Sequence, residues 1–127
     1  MRYLLDTHAL IWYIENNQKL SVKVAKILDN PDNLLYISII SAWEITIKLC
    51  LNKINISFNL DELFNSLKRK KITILPIKQK YLKENLKLKM IHGDPFDRLI
   101  IATAISEKLK IITSDRNIHL YNVDTIW

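Results

Sequence analysis

The 127-residue chain has one cysteine, Cys50, and one glycine, Gly93. A lone thiol cannot form an internal disulfide, which agrees with a reducing compartment, so a cytoplasmic location is expected. Cys50 lies in the apolar stretch Ile47-Lys48-Leu49-Cys50-Leu51, and packing is its expected role. No zinc-ligand spacing is present. None of His8, His92 and His119 has a Ser, Cys or Asp at a spacing that implies a nucleophilic triad, so surface or structural roles are expected for them. Long hydrophobic runs are missing too. Stretches such as Leu34-Leu35-Tyr36-Ile37 are far too short to cross a bilayer. Asp6 interrupts any signal-peptide core, so no membrane association is expected. The absence of low-complexity tracts, repeats and linkers leaves one domain, 1–127, large enough to bury a core without staples.

Acids are the scarcer charge: 13 against 19 Lys and Arg, for a formal net charge of +6. Basic balance favours a polyanionic partner such as nucleic acid, an anionic membrane surface or an acidic protein. The bases concentrate in Lys68-Arg69-Lys70-Lys71 and in Lys78, Lys80, Lys83, Lys87 and Lys89. Such a region is either a solvated surface or a salt-sensitive contact for phosphates. The tryptophans and tyrosines are scattered, which suits core and partner contacts better than a stacking platform.

Short apolar runs alternate with helical patterns. Arg2–Leu5, Leu34–Ile37, Ile72–Leu75, Lys110–Thr113 and Asn122–Thr125 read as strands. Between them, Leu10, Ile11 and Ile14 mark a helix capped by Asp6 or Thr7. Ser21 caps a helix through Leu28, and Ser41 precedes one carrying Trp43, Ile47 and Cys50-Leu51. Leu60–Lys70 is amphipathic, Lys78–Leu88 is a very basic helix, and Asp94-Pro95 starts a helix that runs to about Lys108. Strands separated by helices predict an α/β fold: a three-layer sandwich around a central, mostly parallel sheet of about five strands.

In such sheets ligands gather outside the carboxyl ends of the strands. Asp6 follows the first strand and Asp115 the fourth. Glu44 interrupts the apolar Ile39–Ile45 segment, and Asp97 lies in the first turns of a nearly all-apolar helix. Acids brought together without matching bases need cations, and hard oxygen ligands suit Mg2+ or Mn2+. Such an ion polarises a phosphodiester and orients an attacking water. Each acid also has an ordinary structural use: Asp6 as an N-cap, Glu44 as a first-turn acid, and Asp115 as a turn residue. Asp94 suits a cap with an Asp94–Arg98 surface pair, and this reading is preferred for it. Asp97 has the weakest structural alternative, because an acid on so apolar a helix needs a partner. Thr7, Thr113 and Ser114 adjoin strand-end acids and suit either capping or contacts to the site. Glu15, Asp29, Asp32, Asp61, Glu62, Glu84, Glu107 and Asp124 read as solvated surface.

Four segments together resemble the PIN-domain proteins: Leu4–Trp12, Ser41–Lys48, His92–Ala104 and Thr113-Ser114-Asp115. Their order and their spread over nearly the whole chain place the resemblance closest to VapC-type toxins of toxin–antitoxin pairs. It implies an endoribonuclease dependent on Mg2+ or Mn2+, a homodimer, and inhibition by a cognate antitoxin. By motif, the catalytic and metal-holding acids are Asp6, Glu44, Asp97 and Asp115, and Asp94 belongs to the same motif as Asp97. Three rivals are a receiver-like signalling domain, a catalytically silent RNA-binding adaptor and a DNA-directed nuclease. The receiver would need an acid after the third strand, which instead ends Leu75-Pro76-Ile77.

Overall fold

A computed structural model describes every residue from Met1 to Trp127. Five strands form, β1 (Arg2–Leu5), β2 (Leu34–Ser38), β3 (Ile72–Leu75), β4 (Lys110–Ile112) and β5 (Thr125–Ile126). They pair in the order β3-β2-β1-β4-β5, and every pair is parallel. The helices are α1 (Thr7–Ile14), α2 (Val22–Asp29), α3 (Ile39–Cys50), α4 (Leu60–Arg69), α5 (Gln79–Lys87), α6 (Pro95–Glu107) and α7 (Arg116–His119). The expected α/β architecture with a five-stranded parallel sheet is the one observed.

Alternation along β1 divides the core. Tyr3 and Leu5 face one layer, with Leu10, Val24, Leu28, Leu63 and Leu67 from α1, α2 and α4. Leu4 faces the other, with Tyr81, Leu99, Ile100, Ala104 and Ile118 from α5, α6 and α7. β4 divides in the same way, Ile112 to the first layer and Ile111 to the second. A sheet buried on both faces requires such continuous apolar runs. Leu4 and Leu5 are fully buried, and truncating either to Ala would cost about 2–5 kcal/mol.

The sheet order has a switch point. From β1 the chain steps outward through β2 to β3, then returns to place β4 and β5 on the other side of β1. The carboxyl ends of β1 and β4 therefore flank the crevice where this class of sheet binds ligands. β1 and β4 run in register from Tyr3↔Lys110 to Leu5↔Ile112, and the Asp6 N–H extends the ladder to the Ile112 carbonyl at 3.1 Å.

Several local expectations change. α3 starts at Ile39, because Ser38, not Ser41, caps it, its hydroxyl accepting from the Ile40 N–H. Ser41 is thereby carried inside the helix and fully buried. Cys50 is exposed rather than packed, since it ends α3 where the helix leaves the core. β5 lies at Thr125–Ile126, later than Asn122–Thr125, because α7 and the turn after it occupy the intervening chain. α7 itself is too short to leave a periodic signal. Arg98 makes no surface pair with Asp94. Its guanidinium turns inward, 9% exposed, to the Lys89 carbonyl and the Tyr121 hydroxyl. Glu107 is not solvated surface either. It accepts from the Tyr81 hydroxyl at 2.6 Å and pairs with Lys80 at 2.8 Å, which hold its carboxyl far below the usual range.

Candidate active site

Asp6 leaves β1 as the N-cap of α1, so its carboxylate points back over the strand end. Its Oδ1 accepts the Ala9 N–H at 2.8 Å, and its Oδ2 accepts the Thr113 hydroxyl from just beyond β4. The side chain is 5% exposed. Both readings of Asp6 therefore hold at once: it caps a helix and it stands at the switch point.

Asp115 caps α7, accepting the Asn117 N–H at 2.8 Å, while its own N–H donates to Thr113 Oγ1 at 3.0 Å. Thr113 thus ties the two strand-end acids together. Asp94 is the N-cap of α6, its Oδ1 accepting from Phe96 and Asp97 N–H groups. That cap places Asp97 on the first turn, facing the same crevice, where His92 Nε2 lies 3.2 Å from Asp97 Oδ2.

Charge and burial act together on these groups. Burial pushes Asp6 up to about 6. The Thr113 and Ala9 hydrogen bonds oppose the rise, and the charges of Asp115 and Glu44 add to it. Burial also pushes Asp97 up to about 6, then Asp94 adds, His92 opposes, and Asp115 and Asp6 add further. Acids from β1, α6 and the end of β4 therefore feel one another's charge.

Glu44 reaches the group from the second turn of α3. It is 6% exposed, and both of its oxygens are engaged. Oε1 accepts the Thr7 hydroxyl at 2.7 Å, and Oε2 pairs with Lys48 Nζ at 2.7 Å, one turn further along the helix. Ser41 Oγ lies 3.0 Å from Thr7 Oγ1. Glu44 is the one acid of the four with a cation already on it.

A hard divalent ion fits this donor set by chemistry: several carboxylates whose charges act on one another, with Asp6 held by the Ala9 N–H and the Thr113 hydroxyl. No three His, Cys, Asp or Glu side chains stand close enough to ligate one ion together. Magnesium ordinarily keeps several waters and takes one or two carboxylates plus substrate phosphates, so it does not need three side chains on one ion. None of the four surface cavities is lined by Asp6, Glu44, Asp97 or Asp115. Trp43, 55% exposed beside buried Glu44, packs edge-on against Phe96, the neighbour of Asp97.

Two groups of bases sit elsewhere. Lys68–Lys71 immediately precede β3 in an all-parallel sheet, so they occupy the end opposite the acids. There Arg69, Lys70 and Lys71 line a cavity of about 290 Å3 with Asp29 and Asn33. Lys78 and Lys80 pair with Glu107, ten residues and about 15 Å along α6 from Asp97.

The sequence profile of the PIN domain matches residues 3–124. The chain belongs to the PIN-domain family. Solved structures resemble this PIN domain over its whole length. VapBC2 from Rickettsia felis, bound to a DNA fragment from its promoter, is 16% identical with a TM-score of 0.73, covering 100% of this chain and 99% of that one. A toxin–antitoxin complex from Klebsiella pneumoniae is 20% identical at 0.66, covering 98% and 96%. FitAcB from Neisseria gonorrhoeae is 19% identical at 0.64, covering 98% and 96%. No curated protein matches the sequence significantly.

In this PIN domain the residues that sequence reasoning undervalued are Thr7, Lys48, Thr113 and His92. The threonines adjoin the strand ends, and Lys48 follows Glu44 by four residues, a helix-pair spacing that is visible in the sequence. His92 carried no such signal. Its contact with Asp97 depends on how the loop before α6 turns.

Proposed function

We propose that the protein is a metal-dependent endoribonuclease of the VapC type, a single nuclease domain over 1–127 that works in the cytoplasm, pairs as a homodimer and is silenced by a cognate antitoxin. The observation that carries the reading is the meeting of Asp6, Asp97 and Asp115 at the β1–β4 switch point, close enough for their charges to act on one another. The four family motifs support the toxin assignment, and one solved structure of the same fold is named a toxin–antitoxin complex.

Asp6, Asp97 and Asp115 would share in holding Mg2+ or Mn2+, one or two of them as direct ligands and the rest through the ion's waters. Asp94 contributes by capping α6 and by adding negative charge beside Asp97. A bound ion supplies Lewis-acid polarisation of the scissile phosphate and acidifies a water for attack. Asp6 is held rigid by Ala9 and Thr113, so its carboxylate meets substrate without reorganising. Glu44, already balanced by Lys48, has to exchange that partner to join the ligands, and otherwise orders Thr7 beside Asp6.

The test is incubation of the protein with single-stranded RNA and, in parallel, DNA, with Mg2+ or Mn2+ and with chelator. Cleavage of RNA that needs the metal and is lost in Asp97→Asn is the expected result. Cleavage of DNA alone would move the assignment to a DNA-directed nuclease. No cleavage of either would favour a silent adaptor.

A further inference from the structure

Behind Asp97 lies a chain of hydrogen bonds that the proposed reaction does not use. Arg98 donates from Nη1 to the Tyr121 hydroxyl at 3.1 Å and to the Lys89 carbonyl at 2.9 Å. The hydroxyl also receives the His92 backbone N–H at 3.3 Å. His92 Nδ1 lies 2.7 Å from the same oxygen, and the two rings pack edge-on with centroids 5.4 Å apart. On its other side the imidazole meets Asp97 Oδ2 at 3.2 Å through Nε2.

Counting donors fixes the protons. A phenol oxygen has two lone pairs and one proton to give. Both lone pairs are taken here, one by Arg98, which is charged and can only donate, and one by the His92 N–H. The phenol proton has two acceptors in reach, His92 Nδ1 at 2.7 Å and the His92 carbonyl at 3.5 Å. The shorter contact takes it, so Nδ1 is bare and the imidazole proton resides on Nε2, the atom that faces Asp97. We infer that His92 is a positioning residue for Asp97: buried Arg98 and Tyr121 lock the imidazole with its Nε2–H on Oδ2, which aims the second carboxylate oxygen into the crevice.

The inference rests on the reading of Asp97 as a metal-holding acid. It adds a distinction among the acids. Glu44 is steadied by a lysine, whose charge opposes a second cation, whereas Asp97 is steadied by a single imidazole contact at 3.2 Å. Outer partners of ligating side chains typically account for 10–100-fold in metal affinity.

Two measurements test it, neither of them activity. In the first, the 15N spectrum of the His92 ring is recorded in alkaline buffer, where imidazole is neutral. The Nε2-protonated tautomer is expected, and the Nδ1-protonated form would overturn the inference. In the second, Mn2+ affinity is measured by calorimetry for the wild type, His92→Gln, His92→Asn and His92→Phe. Glutamine carries an amide N–H to about the Nε2 position, while asparagine ends near Nδ1 and phenylalanine donates nothing. Gln is expected within a few-fold of wild type, and Asn and Phe weakened about 10–100-fold. Equal affinities across the series would overturn the positioning role. A wild type that binds no Mn2+ would instead overturn the metal reading above, and the tautomer would then decide the hydrogen-bond assignment. Circular dichroism of each variant separates these outcomes from misfolding.

Discussion

Replacing Asp6 by Asn is expected to make the protein more stable while abolishing cleavage. Burial raises the Asp6 carboxyl from 3.8 to about 6. Between those values the folded chain binds more protons than the unfolded chain, so stability falls as pH rises through that interval. Above it the buried charge costs about 3 kcal/mol, because each tenfold change in proton affinity is worth about 1.4 kcal/mol. Asparagine removes that cost but keeps Oδ1 as acceptor for the Ala9 N–H. The amide nitrogen then takes the place of Oδ2, and the Thr113 hydroxyl has to accept rather than donate, a loss of about 1 kcal/mol. The balance is a gain of about 2 kcal/mol at about pH 8, turning into a loss of about 1 kcal/mol at about pH 4, where the wild-type carboxyl is protonated. Urea unfolding of both proteins at the two pH values, with chelator present, reads the difference directly. A variant that is less stable at both, or by the same amount at both, would refute the argument that burial of charge at Asp6 opposes folding.

Asp97→Asn keeps the shape of the site and is expected to slow RNA cleavage by a factor of about 100–1000, as removal of one preorganised electrostatic group commonly does, with an unchanged far-ultraviolet spectrum. Thr7→Val strips the donor from Glu44 Oε1 in a buried setting and should destabilise by about 1–3 kcal/mol in urea, even with Lys48 intact. The antitoxin reading predicts antagonism: an arginine entering the carboxylates competes with the ion, so antitoxin affinity measured at constant ionic strength falls as Mn2+ rises. By linkage Mn2+ affinity falls by the same factor when antitoxin is added, and an affinity indifferent to Mn2+ would mean that inhibition works by blocking RNA access instead.

Periodicity and strand-end position disclose most of the architecture. The apolar runs at Arg2–Leu5 and Ile72–Leu75 are strands where expected, and Asp94-Pro95 starts α6 as its chemistry requires. Boundaries fail where two caps compete: Ser38 and Ser41 are equally good capping residues by type, and only the path of β2 selects Ser38. Arg98 defeats a surface reading because a spacing of four residues from Asp94 describes a helix face and says nothing of an acceptor such as Tyr121 arriving from elsewhere. The same limit hides His92 and the Glu107 cluster, whose partners lie 29 and 26–29 residues away in the chain. The acids themselves are legible because a carboxylate at the end of a buried strand is conspicuous in sequence, whatever its partners.

The placement of β4 against β1 also has a kinetic meaning. Thr113 meets Asp6 across 107 residues, and the β1–β4 ladder spans the same interval. β1, β2 and β3 are joined by nearer connections, with less loop-closure entropy to overcome. Contacts this distant in sequence carry a larger loop-closure cost and slow the folding of a domain. Until β4 docks, Asp6 has neither its hydroxyl partner nor Asp115 beside it. A chain in which β4 has not docked can therefore possess part of the sheet and a hydrophobic layer and still lack the assembled acid cluster, because the step that completes the sheet is also the step that brings Asp115 to Asp6.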